Sequence, residues 1–101
     1  MKTYRKMYAA YYTGETFFID KFEIGANAYR EDDDGSIEKL RVASILSANR
    51  LSNTVDEAMD TYGCDYDYDV VFNRNNVTYA IAFESDGLVN DELEIDEIIY
   101  C

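Results

Sequence analysis

The stretch from Asp65 to Glu84 alternates polar and large apolar residues on both sides of Asn73-Arg74-Asn75-Asn76. A repeat of two belongs to a β-strand, whose successive side chains point to opposite faces. Facing Asn73 with Asn76 pairs Phe72 with Val77, Val70 with Tyr79, Tyr68 with Ile81 and Tyr66 with Phe83. One register then gathers every large apolar side chain on one face of a hairpin at 65–84. The opposite face receives Asp65, Asp67, Asp69 and Glu84, beside the small Ala80 and Ala82.

The rest of the chain is read around that hairpin. In residues 3–12, Tyr4, Met7, Tyr8, Tyr11 and Tyr12 fit a helical stripe while the Tyr content favours a strand; read as a strand, the segment forms a second hairpin with residues 15–24 across Thr13-Gly14. Gly25-Ala26-Asn27 ends it, and Asp32-Asp33-Asp34-Gly35-Ser36 forms a loop. Leu40, Ala43, Leu46 and Leu51 recur near helical spacing, predicting a helix over about 37–50. Thr54-Val55-Asp56-Glu57 is a capping box. The stripe Val55, Ala58, Met59 and Tyr62 follows it, and Gly63 supplies the stop, so a second helix is predicted over about 54–62. Ser85-Asp86-Gly87 reads as a turn. Residues 92–100 begin as a further strand whose apolar parity slips near Asp96-Glu97, as either a bulge or a helix would cause. The expected fold is α+β: a single domain over 1–101, with an antiparallel sheet of about four to five strands and two helices packed on one side.

Charge narrows the function. The 101 residues carry a net charge of −12 and no His. Residues 1–50 are balanced, with eight basic and eight acidic side chains, and residues 51–101 set Arg74 alone against thirteen acids. Direct binding to nucleic acid or to an anionic membrane is disfavoured by repulsion. The chain has no apolar run of the roughly 20 residues that a membrane helix needs. Its start lacks a signal peptide's apolar stretch, so a cytoplasmic protein with reduced thiols is expected. Without His, the commonest general base and metal ligand are missing, and a nucleophilic Cys64 is disfavoured.

Asp65-Tyr66-Asp67-Tyr68-Asp69 opens like an EF-hand loop. Val70 then stands where that loop needs Gly, and Asn76 where it needs a bidentate Glu, so no metal site is assigned. In a strand, the three Asp would stand about 6.6 Å apart on one face, a pitch close to that of a phosphodiester backbone. Glu92, Glu94 and Asp96 would add a second row if they joined the same sheet. Asp is depleted in strands and like charges side by side are destabilising, so this choice of residue argues for a functional anionic face. Tyr66 and Tyr68 are candidate anchors if exposed, although the register buries them. Asp32, Asp33 and Asp34 form a secondary acidic patch, read foremost as a solvated loop priming the next helix. Arg5, Lys6, Lys21, Arg30, Lys39, Arg41 and Arg50 are matched by acids and read as internal balance.

In size, acidity and mixed acidic–aromatic strands, the chain resembles phage-encoded anti-defence proteins. These include anti-CRISPR and anti-restriction inhibitors, some of them DNA mimics. The resemblance is one of type across the whole chain, and such proteins share no common fold, so it assigns no residue roles. It implies a non-enzymatic inhibitor, without cofactor, in the host cytoplasm, directed at a basic nucleic-acid-binding effector. An immunity protein or antitoxin that neutralises a basic nuclease toxin would look the same in these respects. A divalent-cation-binding regulator is the remaining reading. It requires that millimolar Ca²⁺ or Mg²⁺ stabilise the protein beyond the effect of ionic strength.

Overall fold

A computed structural model describes residues 5–47, 66–89 and 93–101. The described residues form seven strands: β1 (Lys6–Tyr12), β2 (Glu15–Ile19), β3 (Asn27–Glu31), β4 (Ile37–Ser47), β5 (Tyr68–Arg74), β6 (Val77–Val89) and β7 (Glu97–Tyr100). They form one sheet in the order β5-β6-β4-β3-β2-β1-β7. Every neighbouring pair is antiparallel except β1 and β7, which run parallel. The described residues are therefore all-β, and the α+β expectation is overturned. The helix expected at 54–62 lies outside the described residues.

The helix expected over 37–50 is instead β4, an 11-residue strand between β3 and β6. The reason lies in its side-chain spacing. Leu40 and Val42 are buried in the core and Ile45 packs against it. Ala43 is an extra residue where the pairing jumps from Val42↔Phe83 to Ser44↔Ala82. Of the helical stripe's described members, only Leu40 belongs to this core face: Ala43 is the bulge residue itself and Leu46 pairs with Ala80 on the opposite face, so the helical spacing is a coincidence of the bulge. A second irregularity lies across Ser85-Asp86-Gly87. These residues stay within β6 rather than forming a turn, and Gly87 takes φ 111° where side chains are disfavoured.

The hairpin at 65–84 exists as β5 and β6, but its turn is displaced. Arg74 pairs with Val77, Phe72 with Tyr79, Val70 with Ile81 and Tyr68 with Phe83. The tight loop is Asn75-Asn76, at φ 52° and 65°, rather than Arg74-Asn75. Two left-handed residues in a row suit Asn, whose short side chain tolerates that region, better than Arg. Sliding the turn by one residue shifts the register by two, so the division into faces survives. The first hairpin forms as expected: β1 and β2 meet across Thr13-Gly14, with Tyr12 paired to Glu15. β2 ends early, at Ile19. The strand expected over 92–100 begins only at Glu97, parallel to β1.

The sheet curls around a core that includes Phe17, Ile19, Leu40, Val42, Val70, Phe72, Ile81 and Phe83. The curl brings β5 against β1: the Arg74 guanidinium lies 4.5 Å from the Tyr8 ring centre. Phe22, from the loop after β2, fills the same end, with Tyr8 and Tyr79 each 5.1 Å from its ring. A smaller cluster of Met7, Ala9 and Phe18 lies on the outer face, where Leu93 and Ile95 pack on it.

Candidate protein-interaction surface

The outer face of the β5–β6 hairpin carries Asp67, Asp69 and Glu84, as the alternation requires. Asp67 also closes the ladder. Its N–H donates to Phe83 O at 3.1 Å, and its Oδ2 accepts the Ser85 N–H at 2.7 Å. That carboxylate replaces a missing strand carbonyl. Glu84 is exposed and pairs in register with Arg41 on β4. Asp65 and Glu92 lie outside the described residues.

Glu94 and Asp96 are exposed but precede β7, so the second acidic row is not a strand. Asp96 donates its N–H to Arg5 O at 2.9 Å, while its Oδ2 accepts the Arg5 N–H at 2.8 Å. β5 and β7 stand at opposite ends of the ladder order, so the two rows do not lie on adjacent strands. Tyr66 is half-buried. Tyr68 turns inward, edge-on to Phe17 at 5.8 Å, and does not meet the exposure that an anchor requires.

Asp32, Asp33 and Asp34 sit in the loop joining β3 to β4, which leads to a strand and not to a helix. Asp32 N–H donates to Ser36 O at 2.9 Å. Asp34 Oδ1 accepts the Ser36 N–H at 2.9 Å, a bond that holds the Asp34 carboxyl below its ordinary value. Asp33 and Asp34 are exposed. Asp32 turns back to Arg30, which divides the patch.

Arg30 is the centre of a network that the sequence reading passed over. On β3, its guanidinium donates to Glu15 at 2.8 Å, to Glu38 at 3.0 Å and to Asp32. It also lies 4.9 Å from the Tyr68 ring centre. The Tyr68 hydroxyl donates to Glu38 Oε1 at 2.7 Å, and the Ser85 hydroxyl bonds the other Glu38 oxygen. Burial acts to raise the Glu38 pKa, but the bonds from Ser85, Tyr68 and Arg30 outweigh it and hold the carboxyl low. For Arg30, too, burial opposes the charge, and Glu38 and Asp32 more than offset it. The signal was present in the chain: with 37–47 read as a strand, Glu38 falls directly opposite Arg30.

The other cations are similarly engaged. Arg74 covers the rings of Tyr8 and Phe22, and Lys6 sits 5.5 Å from Tyr8. Lys39 lies 4.9 Å from the Tyr29 ring centre and donates to Asn27 Oδ1 at 3.0 Å; burial pushes its pKa down. Arg41 approaches Asp86 at 3.7 Å. Five of the seven described cations are thus held against rings or carboxylates of their own chain. Glu23, Asp33, Asp34, Asp67, Glu84, Glu94 and Asp96 are exposed and in no ion pair among the described residues.

An open pocket of about 80 Å³ is lined by Arg5, Met7, Asp20, Asn27 and Tyr29. Small-molecule sites run to roughly 300–1,000 Å³, so it is undersized for a metabolite. Among the described residues, no three acidic or Cys side chains converge as metal ligands, and no helix is long and apolar enough to cross a membrane. No protein-family model, curated protein or solved structure matches this chain.

Proposed function

We propose that this chain is an acidic inhibitor that binds a basic, nucleic-acid-binding protein in the cytoplasm of the cell where it is made. One observation carries the reading. The fold holds five of the seven described cations against rings and carboxylates of its own chain, and leaves Glu23, Asp33, Asp34, Asp67, Glu84, Glu94 and Asp96 exposed with no ion pair among the described residues. A net charge of −12 repels itself and lowers the stability of the compact state. An anionic surface also steers the protein towards a Lys- and Arg-lined cleft and sets the salt dependence of docking. The reading needs charge density on the outer face, not a phosphate-like row, since the described carboxylates do not form one strip.

The test is neutralisation of exposed charge away from any ladder bond. Glu84→Gln with Glu94→Gln is expected to weaken partner binding about tenfold at low salt and much less at ~0.5 M salt. Equal affinity of variant and wild type at low salt would count against the reading.

A further inference from the structure

We propose that the edge of β7 facing away from β1, unpaired among the described residues, is a docking strand for an extended, basic segment of the partner protein. This rests on the acidic-inhibitor reading and names the contact.

Backbone direction comes first. The N–H groups of Glu97 and Cys101 donate to Arg5 O and Ala9 O, so these positions face β1. Alternate residues of a strand present their backbone groups to opposite sides. Ile98 and Tyr100 therefore direct their N–H and C=O away from β1, and among the described residues β7 is the last strand of the ladder. Natural edges are blunted by Lys, Pro, bulges or shortness. The strand Glu97-Ile98-Ile99-Tyr100 uses only the last of these.

Side chains point the same way. Ile98 is 40% and Tyr100 70% exposed. Tyr100 pairs in register with Ala9, and Tyr11, two residues further along that face of β1, is 69% exposed. The edge is thus bordered by apolar and aromatic surface, with exposed Glu94 and Asp96 just before the strand. An incoming strand that alternates cationic and apolar residues meets both: backbone pairing at Ile98 and Tyr100, and cations beside the carboxylates or over the tyrosines. A second copy is the poorer occupant, because two chains of −12 repel.

The probe is a short peptide of alternating Lys and Val, compared with the same peptide N-methylated at every interior amide. Charge is equal, but only the first can pair with a strand. Binding to the full chain is followed at low salt by backbone amide NMR shifts. Shifts centred on 97–101, with affinity about tenfold or more lower for the methylated peptide, are expected. The substitution Ile98→Pro removes only an N–H that faces the open edge, which edge strands tolerate. It is expected to lower affinity for the unmethylated peptide to a similar extent while shift dispersion is retained. Should Ile98→Pro fail to fold, the methylated peptide decides alone. Equal binding of both peptides, or shifts confined to Asp69 and Glu84, would overturn edge docking and leave the acidic-inhibitor reading standing. Binding of neither peptide would remove that reading and the edge with it. Self-association of the chain that Ile98→Pro abolishes would make the occupant a second copy and overturn the proposal.

Discussion

The Tyr68 hydroxyl donates to Glu38 Oε1 at 2.7 Å, tying β5 to β4 across the intervening β6. Arg30 packs over the same tyrosine ring and bonds the same carboxylate. Tyr68→Phe is expected to cost about 1.5–3 kcal/mol, the range for a hydrogen bond to a charged group. Arg30→Met should cost more, about 3–5 kcal/mol, because Glu15, Asp32 and Glu38 are left facing one another. Urea unfolding of both variants checks the order as well as the sizes. A Tyr68→Phe loss larger than the Arg30→Met loss contradicts the network.

Glu38 gives the network a pH signature. Its native pKa is depressed, so it favours folding above its unfolded pKa, and that contribution is lost as pH falls through the native value. The stability gap between wild type and Glu38→Gln is therefore full near neutral pH and closes as pH drops below the ordinary carboxyl value of 4.5. Urea midpoints of both proteins at several pH values test this. A gap unchanged by acid contradicts it.

The Asn75-Asn76 turn makes a local prediction. Both residues sit at positive φ. Asn75→Val places a β-branched residue there and is expected to cost about 1–2 kcal/mol. Asn76→Gly relieves the same constraint and should be neutral or stabilising by up to about 0.5 kcal/mol. Thermal unfolding distinguishes these outcomes. It also tests the register, because a turn at Arg74-Asn75 would make Asn76→Gly destabilising.

Asp67 and Glu84 share a face but differ in role. Asp67→Ala removes the acceptor of the Ser85 N–H and is expected to cost about 1 kcal/mol, with Asp67→Asn milder. Glu84→Gln changes stability by less than about 0.5 kcal/mol. Denaturant midpoints separate the two. An equal loss at both positions contradicts a ladder-closing role for Asp67.

The legible parts of the fold were those where a period of two runs without interruption. Tyr68, Val70 and Phe72 against Tyr79, Ile81 and Phe83 announce a hairpin whichever way the turn falls, since sliding the turn by one keeps the faces. β4 was hidden because the bulge residue Ala43 falls three residues from both Leu40 and Leu46, a helical spacing, while the bulge breaks the period of two between Val42 and Ile45. Its misreading also concealed β3, whose strand character comes from pairing on both sides. On the candidate surface, the outward direction of Asp67, Asp69 and Glu84 followed from alternation. The backbone bonds of Asp67 and Asp96 did not, because both depend on where a ladder stops. Arg30 read as internal balance, and the network around it supports that, though its partners come from three separate segments.

The central claim is that exposed carboxylates bind a basic protein where nucleic acid would bind. The most direct measurement immobilises the full chain and passes over it a lysate of its source cell, with washes at low and at ~0.5 M salt. Added DNA or RNA then serves as competitor. The account predicts a nucleic-acid-binding protein retained at low salt, released by ~0.5 M salt and displaced by the added nucleic acid. A captured protein that keeps its nucleic acid bound, or the absence of any captured protein at either salt concentration, would contradict it.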